Sequence, residues 1–182
     1  MSESTSKPII ILGAGGHAKV VAEALIQAKY DILGFLTPDK NHGDEIFGLT
    51  ILGNDNVIDA YSTEEVLLAN GIGLLPHQNL RFILAEKMRK NGFKFVKVIH
   101  ASSTISPNVK LEEGVQIMAG AVIQASTYIG IDTIINTGAL IDHDCIIAKN
   151  CHIAPGVVCS GGVTVESGVH IGTGSMIIEN VS

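Results

Sequence analysis

The pattern of hydrophobic and polar positions changes near residue 100, and before that point two kinds of segment alternate. Three short aliphatic runs predict buried strands: PIIILG (8–13), ILGFL (32–36) and the second half of TEEVLLANGIG (63–73). Two longer segments have helical spacing: GGHAKVVAEALIQAKY (15–30) and QNLRFILAEKMRKNG (78–92). Strands that alternate with helices predict a small parallel α/β domain, which we place at residues 7–98.

From Ile105 onward the chain is a repeat of six residues that runs through thirteen hexads without an insertion. The first position is Ile ten times, with Leu111, Cys159 and Val165 in the other three hexads. The fourth position is Gly seven times, Asn three times, Asp twice and Ser once, and these residues tolerate turn or left-handed backbone. The fifth position is small or β-branched. This pattern predicts a parallel β-helix over residues 99–182, in which three hexads form one coil and residues 18 apart stack.

Composition and charge argue against several classes of function, in particular the binding of nucleic acid and of membranes. The chain has 182 residues, of which 46% are hydrophobic, and a net charge of -6. Because it has no long basic run, we expect no nucleic acid polymer and no anionic membrane as partner. With no long apolar segment and no signal-peptide pattern in MSESTSK, it is expected to be a cytoplasmic protein without membrane insertion. Cys145, Cys151 and Cys159 lack CxxC spacing and are expected to be reduced packing residues.

The segment IDHDCI (141–146) carries the candidate chemistry of the repeat. His143 occupies the third position of its hexad, which projects outward, and Asp144 takes the turn position. A carboxylate beside a histidine suits a general base. Gly161 lies 18 residues later, so its backbone N–H would stack beside the imidazole and could polarise a carbonyl. The pattern therefore indicates acyl transfer by His143 and Asp144, or else a solvated acidic corner without a function.

Two further histidines share a column of the repeat. His152 and His170 both end their hexads and are 18 residues apart, so they are predicted to stack. They form either a surface or interface ladder, or a pair in which His152 meets the active site of a neighbouring subunit. Asn136, one hexad before Asp142, would donate a hydrogen bond to the substrate.

A glycine-rich turn, GAGGHA (Gly13 to Ala18), follows the first predicted strand and opens the first helix. Such turns let a backbone approach a phosphate at a helix N-terminus. A dinucleotide fold would also need an acidic residue at the end of the second strand, but no acid precedes Asp39 there. The turn therefore favours another diphosphate ligand over NAD, with a tight turn that binds nothing as the alternative.

Both halves together resemble one known family over nearly all residues from 8 to 178. IIILGAGGHAKVVAEAL, NTGALIDHDC and IAPGVVCSGGVTV resemble the bacterial sialic acid O-acetyltransferase and nucleotide-amino-sugar N-acetyltransferase family, which includes bacillosamine- and perosamine-type enzymes. The resemblance implies a Rossmann-like N-terminal α/β domain that binds the nucleotide sugar, followed by a left-handed β-helix. It also implies a homotrimer and acetyl coenzyme A as co-substrate. It implies that the acceptor is a nucleotide-linked 4-amino-6-deoxy sugar, used in bacterial surface-glycan synthesis.

The resemblance also implies a role for each matching residue. His143 would be the base and Asp144 its partner, while His152 and Gly161 would bind acetyl coenzyme A. The acceptor would be bound by the remaining matching residues, which are Gly13, Gly15, Gly16, His17 and Asn136. No metal is expected.

Two departures from the family qualify these expectations. The acidic pair that often follows the second strand is replaced by Thr37, Pro38 and Asp39, so the preferred base is open. The repeat also ends after its thirteenth hexad, where the family usually continues, and we expect weaker coenzyme A binding as a result. Three alternatives stay open: O-acetylation of a sialic or legionaminic acid, a trimeric nucleotide-sugar-binding protein without catalysis, and a β-helix zinc lyase. The histidine spacings of 9 and 18 differ from the H-x4-H pair that the lyase resemblance implies.

Overall fold

The computed structural model describes residues 7–74 and 79–182, and the chain divides between Val96 and Lys97 into two compact units. The first unit is an α/β sheet with two helices. Its elements are β1 Ile9–Leu12, α1 Gly16–Gln27, β2 Ile32–Leu36, β3 Glu45–Ile46, β4 Leu49–Gly53, a 3-10 helix Asp55–Ala60, β5 Leu67–Asn70 and α2 Leu80–Lys90.

The sheet of the first unit has the order β3-β4-β2-β1-β5, and all its pairs are parallel except β3 with β4. All four residues of β1 are fully buried, as expected for a central strand of a parallel sheet. The three predicted strands are present at β1, β2 and β5. The prediction contained no strand at β4, whose short run LTILG is bounded by glycines on both sides. The predicted start of the second helix at Gln78 lies outside the described residues.

The second unit is a parallel β-helix of two-residue strands on three faces. The first face holds β6 Val98–Ile99, β9 Gln116–Ile117, β12 Ile134–Ile135, β15 His152–Ile153 and β18 His170–Ile171. The second face holds β7 Thr104–Ile105, β10 Val122–Ile123, β13 Leu140–Ile141, β16 Val158–Cys159 and β19 Met176–Ile177. The third face holds β8 Lys110–Leu111, β11 Tyr128–Ile129, β14 Ile146–Ile147 and β17 Thr164–Val165.

Every strand pair joins residues 18 apart, such as Leu140 with Val158, which confirms three hexads per coil. The ladder begins one hexad earlier than the predicted repeat, because β6 already pairs with β9. First- and fifth-position side chains form one aliphatic core inside the coils. The backbone at the fourth position is left-handed, from φ 58° at Asp144 to φ 77° at Gly168, and Asn108 is the exception. The repeat therefore turns where the sequence places its turn-forming residues.

Candidate active site

The corner between β13 and β14 projects the candidate catalytic residues into solvent. Ile141 and Cys145 point into the core and are buried, so the three residues between them form the outer bend. The side chains of His143 and Asp144 are 62% and 66% exposed. The hexad pattern therefore fixes which side chains at this corner can meet a substrate.

Asp144 accepts a hydrogen bond from the His143 imidazole. Its Oδ2 lies 2.8 Å from His143 Nδ1, and its own backbone is left-handed at φ 58°. This bond places the ring proton on Nδ1 and leaves the Nε2 lone pair free to take a proton. The hydrogen bond with Asp144 and, after it, the charge of Asp142 raise the pKa of His143 above its usual value of 6.5.

Gly161 lies directly beside the imidazole, one coil further along, as its spacing of 18 predicts. A Cβ at Gly161 would lie 2.6 Å from His143 Cε1 and 2.8 Å from Nε2, so only glycine leaves room for this ring position. The next residue, Gly162, donates a hydrogen bond from its backbone N–H to the His143 carbonyl at 2.9 Å, which joins the two coils at this corner. Within the described part of the chain, the Gly161 N–H donates no backbone hydrogen bond. It is therefore available to an oxyanion.

Asp142 is a residue of this corner to which the sequence analysis gave no role of its own. Its Oδ1 accepts a hydrogen bond from the His143 backbone N–H at 2.8 Å, and its carbonyl accepts one from Thr127 Oγ1 at 2.9 Å. The second carboxylate in the segment DHD (142–144) is the sequence signal that could have predicted a role for Asp142.

His152 lies on the first face in a second polar group. The Asn136 Nδ2 donates to His152 Nε2 at 3.0 Å, and Asn136 also accepts from the Thr137 N–H. The imidazoles of His152 and His170 are in edge contact, with centroids 4.6 Å apart and planes at 71°. The predicted stacking of these two histidines is confirmed, and Asn136 orients His152.

The cysteines do not face this site. Cys145, Cys151 and Cys159 are all free and buried, as expected of packing residues. Burial raises the pKa of all three thiols, that of Cys159 to about 11. Since the thiolate is the nucleophile, an acyl-cysteine route is disfavoured.

In the first unit, the glycine-rich turn joins β1 to α1. Gly13 has φ 86° and packs against Ile72, whose Cγ1 would lie 3.1 Å from an added Cβ. Gly15 is the N-cap of α1 and provides no side-chain cap, and an added Cβ at Gly15 or Gly16 would have no heavy atom within 4 Å. His17 is half-buried in the first turn. The turn thus exposes backbone N–H groups at a helix N-terminus.

A cavity of about 530 Å³ opens in the first unit where β2 and β4 end. It is lined by Thr37, Pro38, Lys40, Asn41, His42, Leu52, Gly53, Asn54 and Val57. Ligands of parallel α/β sheets bind at the carboxyl ends of strands, which is where this cavity lies.

Two absences within residues 7–74 and 79–182 bear on other functions. No helix there is long and apolar enough to cross a membrane. No three His, Cys, Asp or Glu side chains there come together as a metal site.

Comparisons with known proteins agree with the resemblance seen in the sequence. Residues 8–88 match the family described as the PglD N-terminal domain. The acetyltransferase domain of PglB from Neisseria gonorrhoeae, in complex with acetyl coenzyme A, is 31% identical with a TM-score of 0.88, over 96% of this chain and 83% of that one. By sequence, no curated protein matches the chain.

A second solved structure shows to which family the chain belongs, because it is similar over almost the whole length of both chains. A mutant of perosamine N-acetyltransferase from Caulobacter crescentus, in complex with CoA and GDP-perosamine, is 32% identical with a TM-score of 0.83, over 99% of this chain and 92% of that one. The chain belongs to the bacillosamine- and perosamine-type sugar N-acetyltransferase family. WeeI from Acinetobacter baumannii is only 16% identical with a TM-score of 0.71, and it shares the fold.

Membership of this acetyltransferase family confirms the predicted fold class, a Rossmann-like domain followed by a left-handed parallel β-helix. It also confirms that the chain is an acyltransferase, which removes the zinc lyase as an interpretation.

Proposed function

We propose that the protein transfers an acetyl group from acetyl coenzyme A to the amino group of a nucleotide-linked amino sugar. The observation that carries this proposal is the His143–Asp144 pair at 2.8 Å, with its imidazole against the bare backbone of Gly161. Direct acyl transfer requires a general base and a donor that stabilises the oxyanion. His143 and the Gly161 N–H, which lie next to each other, can supply them. The relatives bound to CoA and GDP-perosamine support the same pair of substrates.

The transfer proceeds in one ternary complex. The neutral amine of the sugar attacks the thioester carbonyl, and the N–C bond forms while the carbonyl oxygen becomes an oxyanion that accepts a hydrogen bond from the Gly161 N–H. His143 Nε2 takes one proton from the attacking nitrogen. The tetrahedral intermediate then expels coenzyme A as the C–S bond breaks, and the imidazolium returns the proton to the thiolate. Such a base contributes about 10²- to 10⁴-fold in rate.

The donor is proposed to lie along the β-helix of residues 99–182. His152, oriented by Asn136, would bind acetyl coenzyme A together with Gly161. Since His152 is on the first face and His143 is at the corner after the second face, we propose that they meet across subunits in a homotrimer. Asn136 would also contact the acceptor.

The nucleotide is proposed to bind in the domain of residues 7–98. The exposed backbone at Gly15 and Gly16 would hold the diphosphate, because a helix N-terminus favours negative charge. Gly13 and His17 would border it, and the cavity at the ends of β2 and β4 would receive the base. Because acetyl coenzyme A is available inside the cell, we place the reaction in the cytoplasm, in surface-glycan synthesis.

Thiol release from acetyl coenzyme A tests the proposal with a panel of UDP- and GDP-linked 4-amino sugars and free sialic and legionaminic acids. We expect release with one nucleotide-linked amino sugar and its loss in His143→Ala, with nucleotide-sugar binding retained. Release with only a free acid would instead show an O-acetyltransferase. Release from none of them, with the nucleotide sugar still bound, would show a binding protein without turnover.

A further inference from the structure

A buried arginine lies in the first turn of α2. Arg81 is only 1% exposed, although its guanidinium stays protonated in proteins. Removing such a charge from water costs free energy, and positive charge is also unfavourable at a helix N-terminus. The transfer mechanism uses no residue of α2. The position of Arg81 is therefore explained by what its side chain holds.

Arg81 holds the segment that follows β5, residues 71–73, which we call the β5 loop. Its Nη1 donates to the carbonyl of Asn70 at 3.0 Å and to that of Ile72 at 2.6 Å. Asn70 is also buried, and its Nδ2 donates to the Arg81 carbonyl at 3.1 Å. The Oδ1 of Asn70 accepts from the Ile72 N–H at 3.1 Å. Both backbone groups of Ile72 are therefore bound by buried side chains.

The β5 loop packs directly against the glycine-rich turn. β5 pairs in parallel with β1, so the segments that follow these two strands leave the sheet side by side. An added Cβ at Gly13 would lie 3.1 Å from Ile72 Cγ1, and an added Cβ at Gly71 would lie 2.7 Å from Ala18 Cβ. Because the loop and the turn are in close contact, a shift of the loop displaces the turn.

The glycine-rich turn has few means of fixing its own conformation. Gly15 and Gly16 have no side chain, and no side chain caps α1 at Gly15. An added Cβ at either glycine would have no heavy atom within 4 Å. The backbone N–H groups there depend on neighbouring segments for their position. Since donors that are ordered before binding cost the ligand less, the segment that holds the turn affects the affinity of the site.

We propose that Arg81 positions the glycine-rich turn for the nucleotide diphosphate, acting through the β5 loop. This inference rests on the proposed function, in which the N–H groups of Gly15 and Gly16 hold the diphosphate. Arg81 is a positioning residue, because its buried side chain binds the carbonyls of the β5 loop and the loop contacts the turn. Its loss weakens the binding of the nucleotide and leaves the binding of acetyl coenzyme A and the chemical step unchanged.

Titration calorimetry of the full chain with UDP, GDP and, separately, acetyl coenzyme A tests this role. Arg81→Met keeps an unbranched apolar stem and removes the donors. We expect it to weaken the binding of whichever nucleotide wild type binds by about tenfold or more, with the Kd for acetyl coenzyme A within about twofold of wild type. Arg81→Lys, which keeps a charged donor, should recover part of the loss.

Steady-state kinetics provide a second readout that a general loss of stability would not reproduce. In the thiol assay, Arg81→Met should raise KM for the nucleotide sugar, while kcat at saturation and KM for acetyl coenzyme A stay at their wild-type values. Arg89→Met is the matched control, because it removes the same charge from the same helix, where Arg89 stacks over Phe95 at 4.7 Å. It should bind the nucleotide as wild type does.

Unchanged nucleotide affinity in Arg81→Met would overturn the inference. So would an equal loss for acetyl coenzyme A, which indicates general destabilisation, or an equal loss in Arg89→Met, which indicates a net-charge effect. If Arg81→Met does not fold, Ile72→Ala decides, since it removes the contact with Gly13 and keeps the backbone that Arg81 binds. Wild-type nucleotide affinity in Ile72→Ala would then overturn the inference. Wild type that binds neither UDP nor GDP would instead contradict the proposed function, and the inference with it.

Discussion

Asp144 combines a left-handed backbone with a carboxylate that is hydrogen-bonded to the His143 imidazole. At the same hexad position, Asn150 and Asn180 adopt φ 62° and 58°, so the conformation itself is satisfied by an amide. The carboxylate is what holds the imidazole by Nδ1. The charge of Asp144 therefore acts on the His143 imidazole and is not needed for the turn.

Asp144→Asn should shift the acid limb of the pH–rate profile. As the proposed base, His143 acts only when neutral, and the hydrogen bond with Asp144 is the largest cause that raises its pKa above 6.5. Activity therefore falls as the pH drops through this raised pKa. In the variant the limb moves to lower pH, and kcat at its plateau falls about 10- to 100-fold because the tautomer is no longer fixed by a charged acceptor.

The measurement for Asp144→Asn is kcat/KM and kcat over pH, together with the thermal midpoint. The midpoint should not change, as Asn150 shows. An unshifted acid limb would mean that another group titrates.

Gly161→Ala should abolish most of the activity without unfolding the protein. The added Cβ would lie 2.6 Å from His143 Cε1, so the imidazole must leave its position. We expect a loss of about 10²-fold or more in kcat, because a displaced base loses its contribution. Gly172→Ala is the control, since its Cβ would meet nothing nearer than Ser175 Oγ at 3.8 Å. Equal activity of the two variants would contradict the geometry of this site.

At the scale of elements, most two-residue strands of the β-helix bury their second residue more deeply than their first. On β14, Ile147 is fully buried and Ile146 is 50% exposed. This alternation follows from the pleat of a strand, and the hexad repeats it on every face. The stability of each coil should therefore depend on its first-position residue.

Ile147→Ala should lower the free energy of unfolding by about 2–5 kcal/mol, because it removes buried methyl groups and leaves a cavity in a continuous core. Ile146→Ala, one residue away on the same strand, should lower it by less than about 1.5 kcal/mol. Denaturant unfolding at matched subunit concentration distinguishes the two. If Ile146→Ala is the more damaging, the third face is covered by another subunit.

The elements of the first unit were predicted less completely than those of the second. β1 is four buried aliphatic residues and needs no partner to be recognised. β4 lies in LTILG, which is too short to show a periodic pattern. It forms a strand because it pairs in parallel with β2. The position of β4 in the sheet is set by tertiary pairing, and the local sequence pattern does not encode it.

At the scale of the whole molecule, the proposed trimer makes each active site a shared one. If His143 comes from one subunit and His152 from its neighbour, variants of the two residues can complement each other. Mixing denatured His143→Ala and His152→Ala and refolding them should restore about a quarter of the sites, the random share in which both histidines are native.

The control for complementation is a mixture of His143→Ala and Asp144→Asn. Both changes lie on the same side of the proposed interface, so mixing should restore nothing. Thiol release before and after mixing, with the subunit number from sedimentation, gives the result. No restoration in the first mixture would place both histidines in one chain or assign His152 another role.

The sequence by itself determined the β-helix and much of the corner that we propose as its active site. A hexad with an aliphatic first position and a turn-forming fourth position specifies a strand and a corner locally, and three of them close a coil. The spacing of 18 then places Gly161 beside His143, because each coil repeats the geometry of the one before. Only the tertiary structure decided which of the two neighbouring carboxylates contacts the imidazole. Asp142 and Asp144 flank His143 equally in sequence, but the left-handed backbone of Asp144 brings its carboxylate to Nδ1. Asp142 instead accepts a hydrogen bond from the His143 backbone N–H, through Oδ1.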